Sequence, residues 1–257
     1  MSTQPIMLVT GAASGLGRAV SELLTASGAA VATLDRAETH GPLPLRTDVS
    51  DAESVGAAVA AVVDHFGRLD GVAHCAGVFN NTLDPVHRLS AEAWAGTLDV
   101  NLNGSFHVAQ ASLPHLMESR GRIVFVGSVA GRFPQPGGAA YSASKAAVAA
   151  LARSIALEYA PHGVTANCVM PGYMDTGMTA FLEDRPALRE RIAERIPLER
   201  FAHPDEVARV VCALLTDTSS YLTGQEVVVD GGSSLTAFVG TQDVARMWDR
   251  VTRSPTP

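Results

Sequence analysis

Thr10-Gly11-Ala12-Ala13-Ser14-Gly15-Leu16-Gly17 is the stretch on which the reading of this chain turns. It follows Ile6-Met7-Leu8-Val9, an apolar run with the character of a buried strand. It leads into an amphipathic run from Arg18 to Ser27 that closes near Gly28. Glycines between a strand and a helix permit a tight turn and let a pyrophosphate approach the main chain at the helix N-terminus. The spacing is TGxxxGxG and not the GxGxxG of the common dinucleotide fingerprint. A lone glycine-rich run also serves as a structural turn, so its meaning depends on what surrounds it.

Outward from this turn, short apolar runs alternate with longer amphipathic ones. The pattern predicts further strands at Ala30 to Leu34, Leu43 to Arg46, Gly71 to Ala76, Arg122 to Gly127, Val164 to Met170 and Glu226 to Val229. Ser50-Asp51-Ala52-Glu53 reads as a capping box that starts a helix running to about Phe66. Further helices are expected over Leu98 to Met117, Tyr141 to Tyr159, and from Pro204 to about Leu215, with proline in the first turn. Strands that are nearly all apolar and alternate with helices imply an α/β fold, a doubly wound parallel sheet covered on both faces. Crossovers should be right-handed. No repeat or low-complexity linker divides the chain, so residues 1–257 are expected to form a single domain.

Composition narrows the function. The chain is 47% hydrophobic and 18% charged, ordinary for a globule with a sizeable core. A net charge of -7 and scattered arginines argue against nucleic acid as a partner. No apolar run of about 18 residues exists, so no membrane span is expected. The strand-like run begins almost at once after Met1 to Gln4, leaving no room for a signal peptide. Cys75, Cys168 and Cys212 form no CxxC, and the histidines show no HExxH or HxxxH spacing. Reduced thiols in a cytoplasmic protein without a metal are the expectation.

Of 19 basic residues, Lys145 alone is lysine. It stands four positions after Tyr141, in Tyr141-Ser142-Ala143-Ser144-Lys145, so phenol and ammonium share a helix face. Lysine is a compact point charge with rotatable donors, where arginine is a fixed fork. A phenol acting as a base near pH 7 needs its pKa lowered by about 3, roughly 4 kcal/mol. A cation about 4 Å away at an effective dielectric near 20 supplies about that much. Asp35, at the end of the second strand, is placed to accept hydrogen bonds from ribose hydroxyls and to repel a 2′-phosphate, although a turn residue is its plainer reading. That points to NAD; Arg36 beside it keeps NADP open, because arginine there can accept the 2′-phosphate.

With these motifs in order, the chain resembles the short-chain dehydrogenase/reductase family over essentially its whole length, a Rossmann-type fold. The resemblance implies a cofactor loop at Gly11, Ser14, Gly15, Leu16 and Gly17. It implies adenine contacts from Asp48-Val49, and Cys75-Ala76-Gly77 where the family usually has Asn-Ala-Gly. Asn101, Ser128, Tyr141 and Lys145 match the catalytic tetrad. Pro171, Gly172, Met174 and Thr176 match the loop on the nicotinamide side. The family places its tetrad asparagine in a helix irregularity, anchoring a water that passes protons to the lysine. His74-Cys75 departs from the frequent Asn-Asn, so another group must brace the central sheet. The implied activity is hydride transfer between a secondary alcohol and a nicotinamide dinucleotide, with Tyr141 exchanging the substrate proton.

The substrate is less legible. A short link from Asp35 to Asp48, Pro171 to Met178 and Ile196-Pro197-Leu198 look like the 2,3-dihydro-2,3-dihydroxybenzoate dehydrogenases. That likeness implies a cyclic hydroxy acid or dihydrodiol acid. Arg132 is a candidate partner for its carboxylate, with a solvated loop residue as the alternative. Phe79, Phe133, Tyr173, Met174 and Met178 are expected to give an apolar lining. An NADPH-linked 3-oxoacyl or polyketide-type ketoreductase, and a non-catalytic dinucleotide sensor, are the competing readings. Residues 173–201, rich in Arg and Glu, are expected to form a substrate lid, and 240–257 a C-terminal tail with a short helix. Apolar surplus on the helices from Leu98 and Tyr141 predicts self-association, in this family commonly as a homotetramer.

Overall fold

The computed structural model describes residues 4–79, 84–216 and 219–235. Seven strands run in chain order: β1 Ile6–Thr10, β2 Ala30–Asp35, β3 Leu43–Arg46, β4 Gly71–His74, β5 Arg122–Val126, β6 Thr165–Pro171 and β7 Glu226–Val229. All pair in parallel, in the order β3-β2-β1-β4-β5-β6-β7. The expected doubly wound sheet is therefore what forms. Every residue of β1 is buried, as sheet cover on both faces requires. Pro44 cannot donate to a ladder, and it sits in β3, at the sheet edge.

Seven α-helices occur among the described residues: α1 Gly15–Ala26, α2 Ala52–Phe66, α3 Ala91–Leu98, α4 Gly104–Ser119, α5 Ala139–Tyr159, α6 Pro186–Ala193 and α7 Pro204–Leu214. Leu16, Val20 and Leu24 of α1 pack with Val207, Val211 and Leu214 of α7 over one face. Val55, Val59 and Val62 of α2, Val108 and Leu116 of α4 and Val148 and Ile155 of α5 cover the other. The strand order reverses between β1 and β4, which opens a crevice at the carboxyl ends of the strands.

Three local expectations change. Asp51, not Ser50, caps α2, accepting from Glu53 N at 2.9 Å and Ser54 N at 3.3 Å. The Ser50 hydroxyl is drawn away by the Asp48 carboxylate, to which it donates at 2.6 Å. The helix expected from Leu98 begins earlier, at Ala91, and widens into a π-helical turn at Asp99–Asn103 before α4 continues. Residues 173–201 have a small apolar core of their own, with Leu182, Ile196 and Phe201 buried against Tyr173, Phe181 and Ile192. Their charged surface hides that core in the linear sequence. The 240–257 tail lies outside the described residues.

Candidate active site

The crevice holds a cavity of about 670 Å³ that runs from Asp35 and Arg36, across the glycine loop, to Tyr173, Met178 and Phe181. Its floor is made by close backbone approach. Gly11 has φ +66°, and a Cβ there would stand 2.8 Å from Ala76 N. At Gly17 a Cβ would collide with the Gly11 carbonyl oxygen. Gly15, at φ +53°, faces the Thr176 side chain across the loop. Ser14 precedes α1 as its cap residue, with no side chain bonded to the helix N–H groups. An anion at this turn would therefore meet free donors and the positive helix end.

At the end of β2, Asp35 is fixed by two main-chain donors. Ala13 N donates to Oδ2 at 3.0 Å, and Ala37 N to Oδ1 at 2.9 Å. Arg36 leans toward Asp48, 3.9 Å away. Hydrogen bonds from Ser50 hold the Asp48 carboxyl below its ordinary range, and Arg36 adds to the effect. Val49 lies beside Asp48 in the cavity wall, with Leu16 on the loop side.

The β4 end shows what replaces the missing asparagine. His74 Nδ1 pairs with Thr10 Oγ1 at 2.9 Å, and the same hydroxyl accepts from Ala76 N at 3.1 Å. This chain of contacts ties β4 to β1. Burial drives the His74 pKa down to about 3, so the ring is neutral. Burial also raises the Cys75 thiol to about 12, chiefly against the weaker pull of Lys145. Gly77 lets the chain pass close to the site: a Cβ would lie 3.1 Å from Lys145 Nζ and 3.3 Å from Asn101 Oδ1, so both side chains would have to give way.

The four tetrad positions meet here. Asn101 lies in the π-helical turn, is buried, and is fully engaged. Its Oδ1 accepts from Val78 N at 2.8 Å, and its Nδ2 donates to Val78 O and to Ser144 Oγ, each at 3.0 Å. The expected irregularity is thus present, one residue wider per turn than an α-helix. Ser128 leaves β5 at the carboxyl edge and accepts from Ala130 N at 3.1 Å. Lys145 Nζ donates to Val126 O at 2.8 Å and stands over the Tyr141 ring, 5.7 Å from its centre. Burial lowers the Lys145 pKa to about 8. The Tyr141 phenol is raised, because burial outweighs the opposing hydrogen bond from Ser128.

Pro171, Gly172, Met174 and Thr176 border the cavity after β6. Gly172 packs against Asp230, where a Cβ would come within 2.9 Å of the Asp230 Cα. Thr176 caps a short 3-10 turn, Gly177–Leu182, by a capping box with Thr179. Tyr173 and Met178 border the substrate end, as expected. Arg132 and Phe133 do not. Arg132 Nε donates to Glu226 Oε2 at 2.7 Å, and Arg153 binds the same carboxylate. Phe133 is half exposed. Neither borders the cavity. Gln135, Phe181 and Thr179 also border the cavity, and nothing in their local sequence marks them.

Fold and crevice define a dinucleotide-dependent oxidoreductase built on a parallel sheet. A family model described as Enoyl-(Acyl carrier protein) reductase matches residues 11–234. The chain is 38% identical, over 88% of its length and 96% of the relative's, to 3-oxoacyl-(acyl-carrier-protein) reductase FabG of Thermotoga maritima. It is 39% identical, over 88% of its length and 95% of the relative's, to cis-4-hydroxycyclohexanecarboxylate dehydrogenase of Sinomonas cyclohexanicum. The solved structure of levodione reductase superposes with a TM-score of 0.86 at 30% identity, covering 91% of this chain and 98% of that one. The chain belongs to the short-chain dehydrogenase/reductase family, whose members act on secondary alcohols and ketones. No helix among the described residues is long and apolar enough to cross a membrane, and no cluster there is suited to a metal.

Proposed function

We propose that this protein interconverts a secondary alcohol and its ketone with NAD as the hydride carrier. The observation that supports it best is the Asp35 carboxylate, held at the β2 end by Ala13 N and Ala37 N. An anion so fixed accepts from ribose hydroxyls and opposes a 2′-phosphate. Arg36 makes only a long, exposed contact with Asp48, 3.9 Å away, so the cofactor preference rests on Asp35. The glycine turn at 11–17, Asp48-Val49, Cys75-Ala76-Gly77, Lys145 and the 171–176 loop would hold the remainder of the dinucleotide. When bound, the nicotinamide accepts or returns the hydride.

The chain's own part is proton transfer and positioning. Ser128 holds the substrate oxygen beside Tyr141. In ketone reduction, Tyr141 donates its phenolic proton to the carbonyl oxygen as the hydride arrives at carbon. In oxidation it must first be a phenolate. A raised phenol keeps its proton at neutral pH, which suits the reductive direction. Lys145 fixes cofactor hydroxyls and, with Asn101, supports proton exchange behind the tyrosine. Residues 173–201 form the lid over the substrate.

The relatives named as 3-oxoacyl-(acyl-carrier-protein) reductases support ketone reduction as the second reading, and Arg36 beside Asp35 leaves the other nicotinamide cofactor open for it. A panel of alcohols and ketones, assayed with both cofactors on wild type and Tyr141→Phe, decides. NAD-linked turnover that Tyr141→Phe loses supports the proposal. Turnover only with NADP, or unchanged turnover in Tyr141→Phe, contradicts it.

A further inference from the structure

Beyond Tyr141 the cavity has a distinct chemistry. Phe79, Met178 and Phe181 make apolar walls, and Gln135 meets Tyr173 at the rim. The Tyr173 hydroxyl donates to Gln135 Oε1 at 2.8 Å. That contact uses the acceptor end of the carboxamide and leaves both its N–H donors. Tyr173 is itself held, stacked on the buried Phe201 ring with centres 5.1 Å apart. The Arg189 guanidinium lies over that same ring at 4.3 Å. Gln135 is solvent-exposed, so its amide is reachable from the cavity mouth.

Charge is scarce at this end. Among the described residues bordering the cavity, Arg36 stands at the Asp35 end and Lys145 beneath Tyr141; no other arginine, lysine or histidine is present. Arg132 is committed to Glu226. A substrate carboxylate here would lose water without meeting a cation of the cavity lining, which is costly; Arg189 behind Tyr173 is paired with Asp175 at 2.6 Å, and Arg195 acts on the Tyr173 phenol through space. A carbonyl or hydroxyl oxygen would instead meet the two Gln135 donors, in the same cavity that Ser128 and Tyr141 border.

We infer that Gln135 is a specificity residue that hydrogen-bonds a second, uncharged oxygen of the substrate. The substrate class is then a neutral diketone, hydroxyketone or diol with an apolar skeleton. The inference rests on the oxidoreductase reading above and adds the second point of recognition.

The test uses matched pairs: cyclohexanone against each of its diones, and a straight-chain ketone against the corresponding diketones, with either reduced nicotinamide cofactor. Wild type should favour the two-oxygen member of at least one pair by about tenfold in kcat/KM, the scale of one well-made hydrogen bond. The preference should lie mostly in KM. In Gln135→Met the ratio within that pair should fall to about one. Gln135→Glu keeps an acceptor for the Tyr173 hydroxyl but removes both donors, and should lose the preference as well. Turnover without such a preference, or a preference that survives both substitutions, overturns this inference and leaves the oxidoreductase reading standing. Absence of turnover and of binding for every member, with both cofactors, overturns the two together.

Discussion

In the proposed function Tyr141 exchanges the substrate proton, and its buried environment predicts a direction with pH. Burial raises the phenol, so the protonated form persists through neutral pH and is lost only on the alkaline side. Ketone reduction should therefore be level near neutrality, and alcohol oxidation should rise by up to about tenfold per pH unit until the phenol titrates. Steady-state profiles in the two directions check this; oxidation that falls from neutral to alkaline pH would contradict it. Tyr141→Phe should lower kcat by at least about 100-fold with the circular dichroism spectrum unchanged. His74 makes an independent prediction. Its pKa is about 6.5 unfolded and about 3 folded, because burial disfavours the cation. Between those values the unfolded chain binds more protons. The neutral ring thus contributes stability above pH 6.5 that is lost as pH falls toward 3. At about pH 4.5 the loss is about 2–3 kcal/mol. Denaturant unfolding at neutral pH and at pH 4.5 should show the wild type losing about that much more than His74→Asn; equal losses would refute it. The tetrad positions were legible through the resemblance to the short-chain dehydrogenase/reductase family, whose motifs fall in this order along the chain. Arg132 and Phe133 misled because spacing does not tell which way a loop side chain leaves the strand. Gln135 was invisible because its partner, Tyr173, lies 38 residues away.

Among elements, residues 173–201 repay most attention. Their ends are pinned: Met174 bridges Ala202, Asp175 N donates to Ala202 O, and Ala202 N donates to Tyr173 O, both at 3.0 Å. Between the pins stand the 3-10 turn at Gly177–Leu182, α6 and the small core of Leu182, Ile196 and Phe201. If these residues form the proposed lid, this construction predicts closure as a unit about the base rather than folding from coil. Hydrogen exchange should show protection at 173–175 and 201–202 in the free protein. Protection within 177–193 should rise when NAD and a substrate analogue are present together. Equal protection of 177–193 in both states would make it fixed scaffold. The sequence reading placed this segment but missed its internal core, whose apolar residues are too widely spaced to show a period. It likewise placed Asn101 in a helix irregularity only through family resemblance. A π-helical turn leaves no signature in hydrophobic pattern, since the flanking helices continue on both sides.

For the whole molecule, the doubly wound sheet was legible because fully apolar strands alternating with helices leave few other ways to bury the chain. The apolar surface left over was legible for the same reason. Phe106 on α4 is 49% exposed and Leu157 on α5 is 81% exposed, while Tyr221, Leu222 and Leu235 stand exposed on either side of β7 in sequence. Such a surface predicts self-association, and light scattering at micromolar concentration should give a mass above one chain, with a tetramer expected. Leu157→Glu should reduce that mass, and a monomeric wild type would defeat the prediction. The central claim spans the crevice from Asp35 to Tyr141: the cavity is an NAD site that serves a proton-donating tyrosine. Its most direct test needs no substrate. Reduced NAD and reduced NADP are titrated into the protein, with binding followed by nicotinamide fluorescence. The account predicts at least about tenfold tighter binding of reduced NAD, about 1.4 kcal/mol, and loss of that margin in Asp35→Ala. Equal affinities in the wild type, or tighter binding of reduced NADP, would contradict it.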